Sequence, residues 1–113
     1  MSNGLRLSAA TIALAIAALP QSAGADKAKS MAIESFAFDP PTLTVSVGER
    51  VSFVNRDELP HSVVGLRDET EIFRSNEQMD QDEAYSVVMD RPGEIVIRCG
   101  LHESMTAKII VKP

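Results

Sequence analysis

The stretch that decides the fold is E-I-V-I-R-C-G-L-H-E-S-M-T-A-K-I-I-V-K, residues 94–112. Apolar and polar side chains alternate on both sides of a short turn, and this two-residue period predicts two half-buried β-strands. Ile95, Ile97 and Cys99 share one face of the first strand, so the thiol points toward the core. The turn between the two strands therefore begins at a buried sulfur atom.

Similar short runs, separated by turn residues, fill the chain from residue 31 onward. Gly48-Glu49 joins alternating runs at 42–47 and 50–55, which predicts a hairpin. Residues 66–83 are rich in acidic and amide side chains and predict a long surface loop with room for a short helix. About seven short strands in all predict an all-β fold, an antiparallel sandwich or small barrel. The remaining predicted strands are residues 31–38, 61–64 and 84–89.

The first 25 residues have the three-part pattern of a secretory signal peptide. Arg6 supplies a basic start, residues 7–19 are almost continuously small or apolar, and Ala23-Gly24-Ala25 fits a signal-peptidase site. An uncleaved anchor is the alternative, but the apolar run is shorter than the ~20 residues that a membrane span requires. We expect a signal peptide at residues 1–25 and one domain at residues 26–113, without a membrane span and with a frayed start at 26–30.

The predicted mature chain is acidic. Removal of residues 1–25 takes away Arg6 and leaves ten basic and sixteen acidic residues, a net charge of −6 with neutral histidines. This charge argues against nucleic acid as a partner, because an acidic surface repels phosphates. It favours encounter with a basic patch on another protein.

Cys99 is the single cysteine of a chain expected in an oxidising compartment, where thiols are normally paired. A disulfide within one chain is excluded, so the thiol is an inert buried group, an intermolecular bridge or a metal ligand. The spacing C-x-x-H-x-x-M places Cys99, His102 and Met105 three residues apart. Three extended residues reach only ~10 Å, so a single turn can bring these side chains together.

His61 is the only other imidazole of the chain and begins a predicted strand after a polar turn. A thiolate, a thioether and two imidazoles suit copper, and a trigonal His-His-Cys set with a weak axial Met is typical of type 1 copper. Structural zinc prefers four Cys or His ligands, and catalytic zinc keeps an open position. A nucleophilic Cys–His pair is the alternative, but neither an oxyanion site nor an orienting acid is visible, so we predict a metal site and no enzyme.

Five segments carry a resemblance to a known family. They are F-D-P-P-T-L-T-V-S-V-G at 38–48, V-S-F-V-N-R at 51–56, L-P-H at 59–61, Q-D-E-A-Y-S at 81–86 and C-x-x-H-x-x-M at 99–105. With them the chain resembles the cupredoxins, the type 1 blue-copper proteins, over nearly all of its mature length. The resemblance implies a Greek-key β-sandwich of seven to eight strands that holds one copper ion at one end.

The resemblance also implies a role. It indicates a monomeric periplasmic protein that cycles between Cu(I) and Cu(II), with a dehydrogenase as electron donor and a c-type cytochrome as acceptor. We expect Nδ1 of His61, Sγ of Cys99 and Nδ1 of His102 to form the trigonal plane, with Sδ of Met105 as the long axial contact. Ser62 stands where the family commonly has Asn, whose side chain ties the two ligand loops together.

The surroundings of His102 suggest how electrons leave. We expect His102 to lie nearest the surface, inside an apolar ring of Leu59, Pro60 and Leu101 suited to brief docking of redox partners. Two other functions use the same residues or the same fold. A copper-delivery protein would bind copper without shuttling electrons, and a structural sandwich would bind no metal.

Overall fold

The computed structural model describes residues 29–113, and the predicted signal peptide and residues 26–28 lie outside this part of the chain. Within residues 29–113 the chain forms nine β-strands, and no helix is long and apolar enough to span a membrane. The strands are β1 (Lys29–Glu34), β2 (Ala37–Asp39), β3 (Thr42–Ser46), β4 (Arg50–Asn55), β5 (Val64–Arg67), β6 (Thr70–Arg74), β7 (Ala84–Val88), β8 (Gly93–Arg98) and β9 (Thr106–Lys112).

The strands form two sheets, one in the order β2-β1-β4-β7 and the other in the order β3-β9-β8-β5-β6. β1 runs parallel to β4 and β3 runs parallel to β9, while the other pairs are antiparallel. The predicted all-β sandwich is confirmed. Its strands number nine instead of seven to eight, and its sheets are mixed instead of purely antiparallel.

The core lies between the two sheets and follows the predicted alternation. Buried and exposed residues alternate along β9 and from Ile95 onward in β8, so one face of this hairpin packs inward while the other meets solvent. Cys99 continues the inward face of β8 and is fully buried. The buried cluster consists of Met31, Ile33, Phe38, Val45, Val51, Phe53, Val63, Met79, Met89, Ile95, Ile97, Cys99, Met105, Ala107, Ile109 and Val111.

The predicted hairpin between residues 42–47 and 50–55 is wrong, because β3 and β4 lie in different sheets. The turn at Gly48, whose φ is 92°, carries the chain from one sheet to the other. Gly48 donates its N–H to the carbonyl of Met89 at 2.7 Å, and Met89 donates to the carbonyl of Glu49 at 2.9 Å, so the turn bonds to the end of β7. Alternation does not reveal this difference, because a hairpin and a corner between sheets both leave one buried face.

The predicted loop at residues 66–83 is wrong in its first half. β5 and β6 form a hairpin there, and its turn is made by Asp68 and Glu69, both with positive φ. The polar composition misled the prediction because β6 is an edge strand whose residues are mostly exposed. The predicted strand at 61–64 is shifted, since His61 forms only an isolated bridge with Met79. Residues 29 and 30, predicted as frayed, belong to β1.

Candidate metal centre

Three predicted ligands meet at one end of the sandwich. The side-chain donor atoms of His61, Cys99 and His102 all lie within 4.8 Å of one another. Nδ1 of His61 lies 3.7 Å from the sulfur of Cys99, and Nδ1 of His102 lies 3.8 Å from it. His61 and Cys99 are fully buried, whereas His102 is half-buried and reaches the surface.

The turn between β8 and β9 closes on itself and brings the C-terminal residues of the site together. Cys99 donates its N–H to the carbonyl of Met105 at 3.1 Å, and Met105 donates to the carbonyl of His102 at 3.0 Å. Met105 is 5% exposed and belongs to the core cluster. The loop therefore curls as its spacing predicted, with all three of its candidate ligands in one turn.

His61 is held by backbone hydrogen bonds to a distant segment. It donates its N–H to the carbonyl of Met79 at 3.1 Å, and Met79 donates to the carbonyl of His61 at 2.8 Å. The next residue, Ser62, directs its amide at the sulfur of Cys99 at 3.5 Å. An amide aimed at this sulfur stabilises negative charge on it, as a thiolate ligand requires.

Ser62 also joins the two ligand-bearing loops through its side chain. Its hydroxyl oxygen accepts the N–H of Gly100 at 2.8 Å, and the side chain is almost completely buried. The bond therefore links the residue after His61 to the residue after Cys99. The serine supplies the tie between loops that the family commonly makes with Asn.

Asp57 is a residue of the site that sequence reasoning missed. Its Oδ2 accepts a hydrogen bond from Nε2 of His61 at 2.8 Å, on the side of the ring away from Cys99. Burial raises the pKa of the Asp57 carboxyl. Hydrogen bonds from the amides of Phe36 and Ser35 and from His61 lower this pKa by more than burial raises it, so the pKa lies below its ordinary value. The carboxylate is thus ionised around neutral pH and acts as an acceptor.

The exposed rim of the site is apolar. Leu59 is 54% exposed and Leu101 is 45% exposed, and Pro60 lies between Leu59 and the buried His61. Phe36, which was not predicted here, is 46% exposed and places its ring edge-on to both imidazoles. Exposed apolar side chains therefore lie beside the candidate ligands, and the Phe36 ring is in direct contact range of His102.

The donor atoms fit a trigonal metal ion. An ion bonded to thiolate sulfur at about 2.3 Å and to imidazole nitrogen at about 2.0 Å, in a plane with angles near 120°, separates sulfur from nitrogen by about 3.7 Å. The observed separations of 3.7 and 3.8 Å match this value. Two imidazoles, one thiolate and a nearby thioether residue form the donor set that copper prefers. The cluster can therefore bind one copper ion.

An all-β sandwich with a His-Cys-His cluster at one end defines the cupredoxin class of blue-copper proteins. The sequence matches the family of copper binding proteins described as the plastocyanin/azurin family over residues 25–112. The chain belongs to this family, and copper is its cofactor.

Individual relatives agree with this assignment. Amicyanin of Paracoccus denitrificans is 30% identical over 91 residues, which cover 78% of this chain and 68% of that protein. Chloroplastic plastocyanin of Chlamydomonas reinhardtii is 34% identical over 116 aligned positions, covering 93% of this chain and 80% of the relative. A solved structure of a reduced amicyanin variant superposes with a TM-score of 0.69 at 28% identity, covering 78% of this chain and 85% of that one.

The fold also occurs inside an enzyme. A copper-containing nitrite reductase from Thermus scotoductus SA-01 matches with a TM-score of 0.67 at 25% identity, covering 75% of this chain but only 22% of the enzyme. The shared unit is thus a small part of that enzyme, whereas amicyanin and plastocyanin are matched over most of their length.

Proposed function

We propose that this chain is a periplasmic electron carrier that holds one copper ion through His61, Cys99 and His102, with Met105 as the axial ligand. The observation that carries the proposal is the pair of imidazole Nδ1 atoms 3.7 and 3.8 Å from a single buried sulfur. Residues 26–113 form the copper domain in this proposal, and residues 1–25 form the signal peptide that exports it.

Copper would supply a one-electron couple between Cu(I) and Cu(II) when bound, and hydrogen bonds would hold the ligand residues in place around it. Buried His61 and Cys99 are fixed by hydrogen bonds to Met79 and Met105. Ser62 locks their two loops together. A donor set that stays in place while the charge changes favours rapid electron exchange, since little rearrangement accompanies each transfer.

His102 is the proposed route by which electrons pass to a partner. It is the one half-buried member of the cluster, the Phe36 ring lies edge-on to it at 5.3 Å, and the exposed Leu101 precedes it in the chain. A small apolar contact of this kind suits a partner that docks weakly and leaves quickly. A carrier needs such short-lived contacts, because it must meet a donor and an acceptor in turn.

The partners that we propose are a dehydrogenase as donor and a c-type cytochrome as acceptor, by similarity to amicyanin. The net charge of −6 of residues 26–113 favours a partner with a basic surface around its redox centre. We propose that the protein acts as a monomer and not as an enzyme, by similarity to amicyanin and plastocyanin.

The visible absorption spectrum tests the copper site. Residues 26–113 loaded with Cu(II) should show an intense red-region band from charge transfer between the thiolate and the metal. Cys99→Ser should remove the band, while Ser104→Ala in the same loop should keep it. A wild-type protein without the band would overturn the type 1 assignment.

Copper transfer and export test the finer parts of the proposal. A carrier should keep its copper through repeated cycles of reduction and oxidation in the presence of a copper chelator, whereas a copper-delivery protein should lose it.

The mass of the protein recovered from the periplasm should correspond to a chain that begins at Asp26. A mature chain that still contains residues 1–25 would contradict the signal peptide.

A further inference from the structure

The Asp57 carboxylate accepts three hydrogen bonds, one from the candidate ligand His61 and two from the turn that carries Phe36. Its carboxylate accepts the N–H of Ser35 at 2.6 Å, the N–H of Phe36 at 2.9 Å and Nε2–H of His61 at 2.8 Å. The Asp57 side chain is only 14% exposed, and its hydrogen bond with His61 is partly buried.

The carboxylate is itself held in place by the turn that contains it. The side-chain oxygen of Asn55 accepts the N–H of Asp57 at 3.0 Å. The amide nitrogen of the same Asn55 side chain donates to the carbonyls of Leu59 at 3.0 Å and Met79 at 2.9 Å. Asn55 is fully buried, so the turn from 55 to 59 is fixed to the segment that also pairs with His61.

The turn that donates two amides to Asp57 has a left-handed backbone conformation. Ser35 and Phe36 connect β1 to β2 with φ values of 53° and 59°, a conformation that bulky residues rarely adopt. The two amides donated to Asp57 compensate for this cost. The turn places the Phe36 ring 5.1 Å from the ring of His61 and 5.3 Å from that of His102, edge-on to both.

We propose that Asp57 is a positioning residue that prepares the copper site from outside, by fixing the tautomer of His61 and by holding Phe36 against both imidazoles. A carboxylate acceptor at Nε2 keeps the proton of neutral His61 on that nitrogen, which leaves the lone pair of Nδ1 directed at Cys99. The ring is thus ready to bind metal before any metal arrives. The inference rests on the proposed function, because it treats His61 as a copper ligand.

The same contact adjusts the balance between the two oxidation states. A carboxylate bonded to a ligand imidazole makes that ligand a stronger donor, and its negative charge favours the more positive Cu(II) state. Asp57 is therefore expected to lower the reduction potential. Phe36 is expected to keep water from the two imidazoles on the solvent side, because its ring spans both of them.

The main test compares Asp57→Asn with Glu58→Gln in the copper-loaded protein. Both variants remove one negative charge, but Glu58 is exposed and makes no hydrogen bond to a candidate ligand in the described residues. We expect Asp57→Asn to shift the one-electron equilibrium toward Cu(I) about tenfold more than Glu58→Gln does, which corresponds to ~59 mV. Equilibrium constants of the two variants that agree within twofold would overturn the inference.

A second measurement needs neither copper nor a variant. Long-range ¹H–¹⁵N correlation spectra of the copper-free wild type should show a proton on Nε2 of His61 that exchanges slowly with water. A His61 that carries its proton on Nδ1 would refute the positioning role even if Asp57→Asn does not fold. This result is distinguishable from a failure of the proposed function, which would appear as a wild-type protein without the red-region band.

The role of Phe36 has its own matched comparison. Phe36→Ala should alter the red-region band and raise the rate at which a copper chelator removes the metal at least fivefold, relative to Ile72→Ala. Ile72 is a suitable control because it is 45% exposed on β6, outside the cluster of His61, Cys99 and His102. Equal rates for the two variants would show that the Phe36 ring does not shield the site.

Discussion

Ser62→Ala tests whether a single hydroxyl joins the two halves of the copper site. The substitution removes the acceptor for the N–H of Gly100, which the Ser62 oxygen meets at 2.8 Å across 38 residues of sequence. It leaves the Ser62 amide free to point at the Cys99 sulfur as before. The change therefore isolates the bond between the loops from the bond to the thiolate.

The expected loss follows from burial. A net hydrogen bond contributes about 0.5–1.5 kcal/mol, and a buried donor left without its acceptor costs about 1–3 kcal/mol. Ser62 is 1% exposed, so water does not easily replace its hydroxyl, and we expect a loss of about 1–3 kcal/mol. For a domain of this size each kcal/mol lowers the Tm by about 4–8 °C, which gives a decrease of roughly 4–24 °C.

The assay is thermal unfolding of residues 26–113 with and without copper, compared with Ser86→Ala. Ser86 lies on β7 with an exposed side chain, so its removal should change the Tm by no more than about 2 °C. Copper loading should also raise the Tm of Ser62→Ala less than that of the wild type, because untied loops must be ordered when the metal binds. A copper-free Ser62→Ala protein with the Tm of Ser86→Ala would refute the reasoning.

Three further outcomes are expected outside the copper ligands. Gly65→Ala places a methyl group where the Phe73 ring lies and should cost about 1–3 kcal/mol in urea unfolding, and most of this loss should be recovered when Phe73→Leu is added. Burial raises the pKa of the single tyrosine, Tyr85, above 10.0, so its phenolate absorbance should appear at higher pH in the folded protein than in urea. Because the pKa of Tyr85 is higher in the folded state than in the unfolded state, the contribution of Tyr85 to the free energy of unfolding is complete below pH ~10. This contribution is lost as the pH rises through the folded pKa, and Tyr85→Phe should not show the loss. Arg67→Ala removes hydrogen bonds to the carbonyls of Pro92 at 2.7 Å and Arg91 at 3.1 Å and should cost about 1–2 kcal/mol, whereas an unchanged urea midpoint would show that the bonds contribute nothing.

The sequence predicted those features that depend on short spacing. Alternation over residues 94–112 predicted β8, β9 and the inward thiol, because side-chain direction in a strand depends only on the two-residue period. The spacing of Cys99, His102 and Met105 predicted a turn that closes on itself, and backbone hydrogen bonds now close that turn. The assignment of His61 as the second imidazole ligand followed because the sequence contains no third histidine.

Features that depend on contacts between distant segments were not predictable. The alternation of β3 and β4 is the same whether they pair with each other or with β9 and β1, and the structure has the second arrangement. Asp57 escaped notice because its partners include the backbone N–H groups of Ser35 and Phe36, which carry no sequence signal. The polar tract at residues 66–74 hid a hairpin because an edge strand needs few apolar side chains.

The parallel pairing of β3 with β9 has a consequence for the order of assembly. The two strands are joined in register from Thr42↔Lys108 to Ser46↔Lys112, so the sheet that carries Cys99 reaches its full width only after β9 has been synthesised. Pairings between segments so far apart form slowly, because a long loop must close before they contribute. His61 and Cys99 are likewise brought together by contacts across 38 residues. The cluster therefore depends on contacts between distant segments, and we expect capture of copper to be a late event in folding.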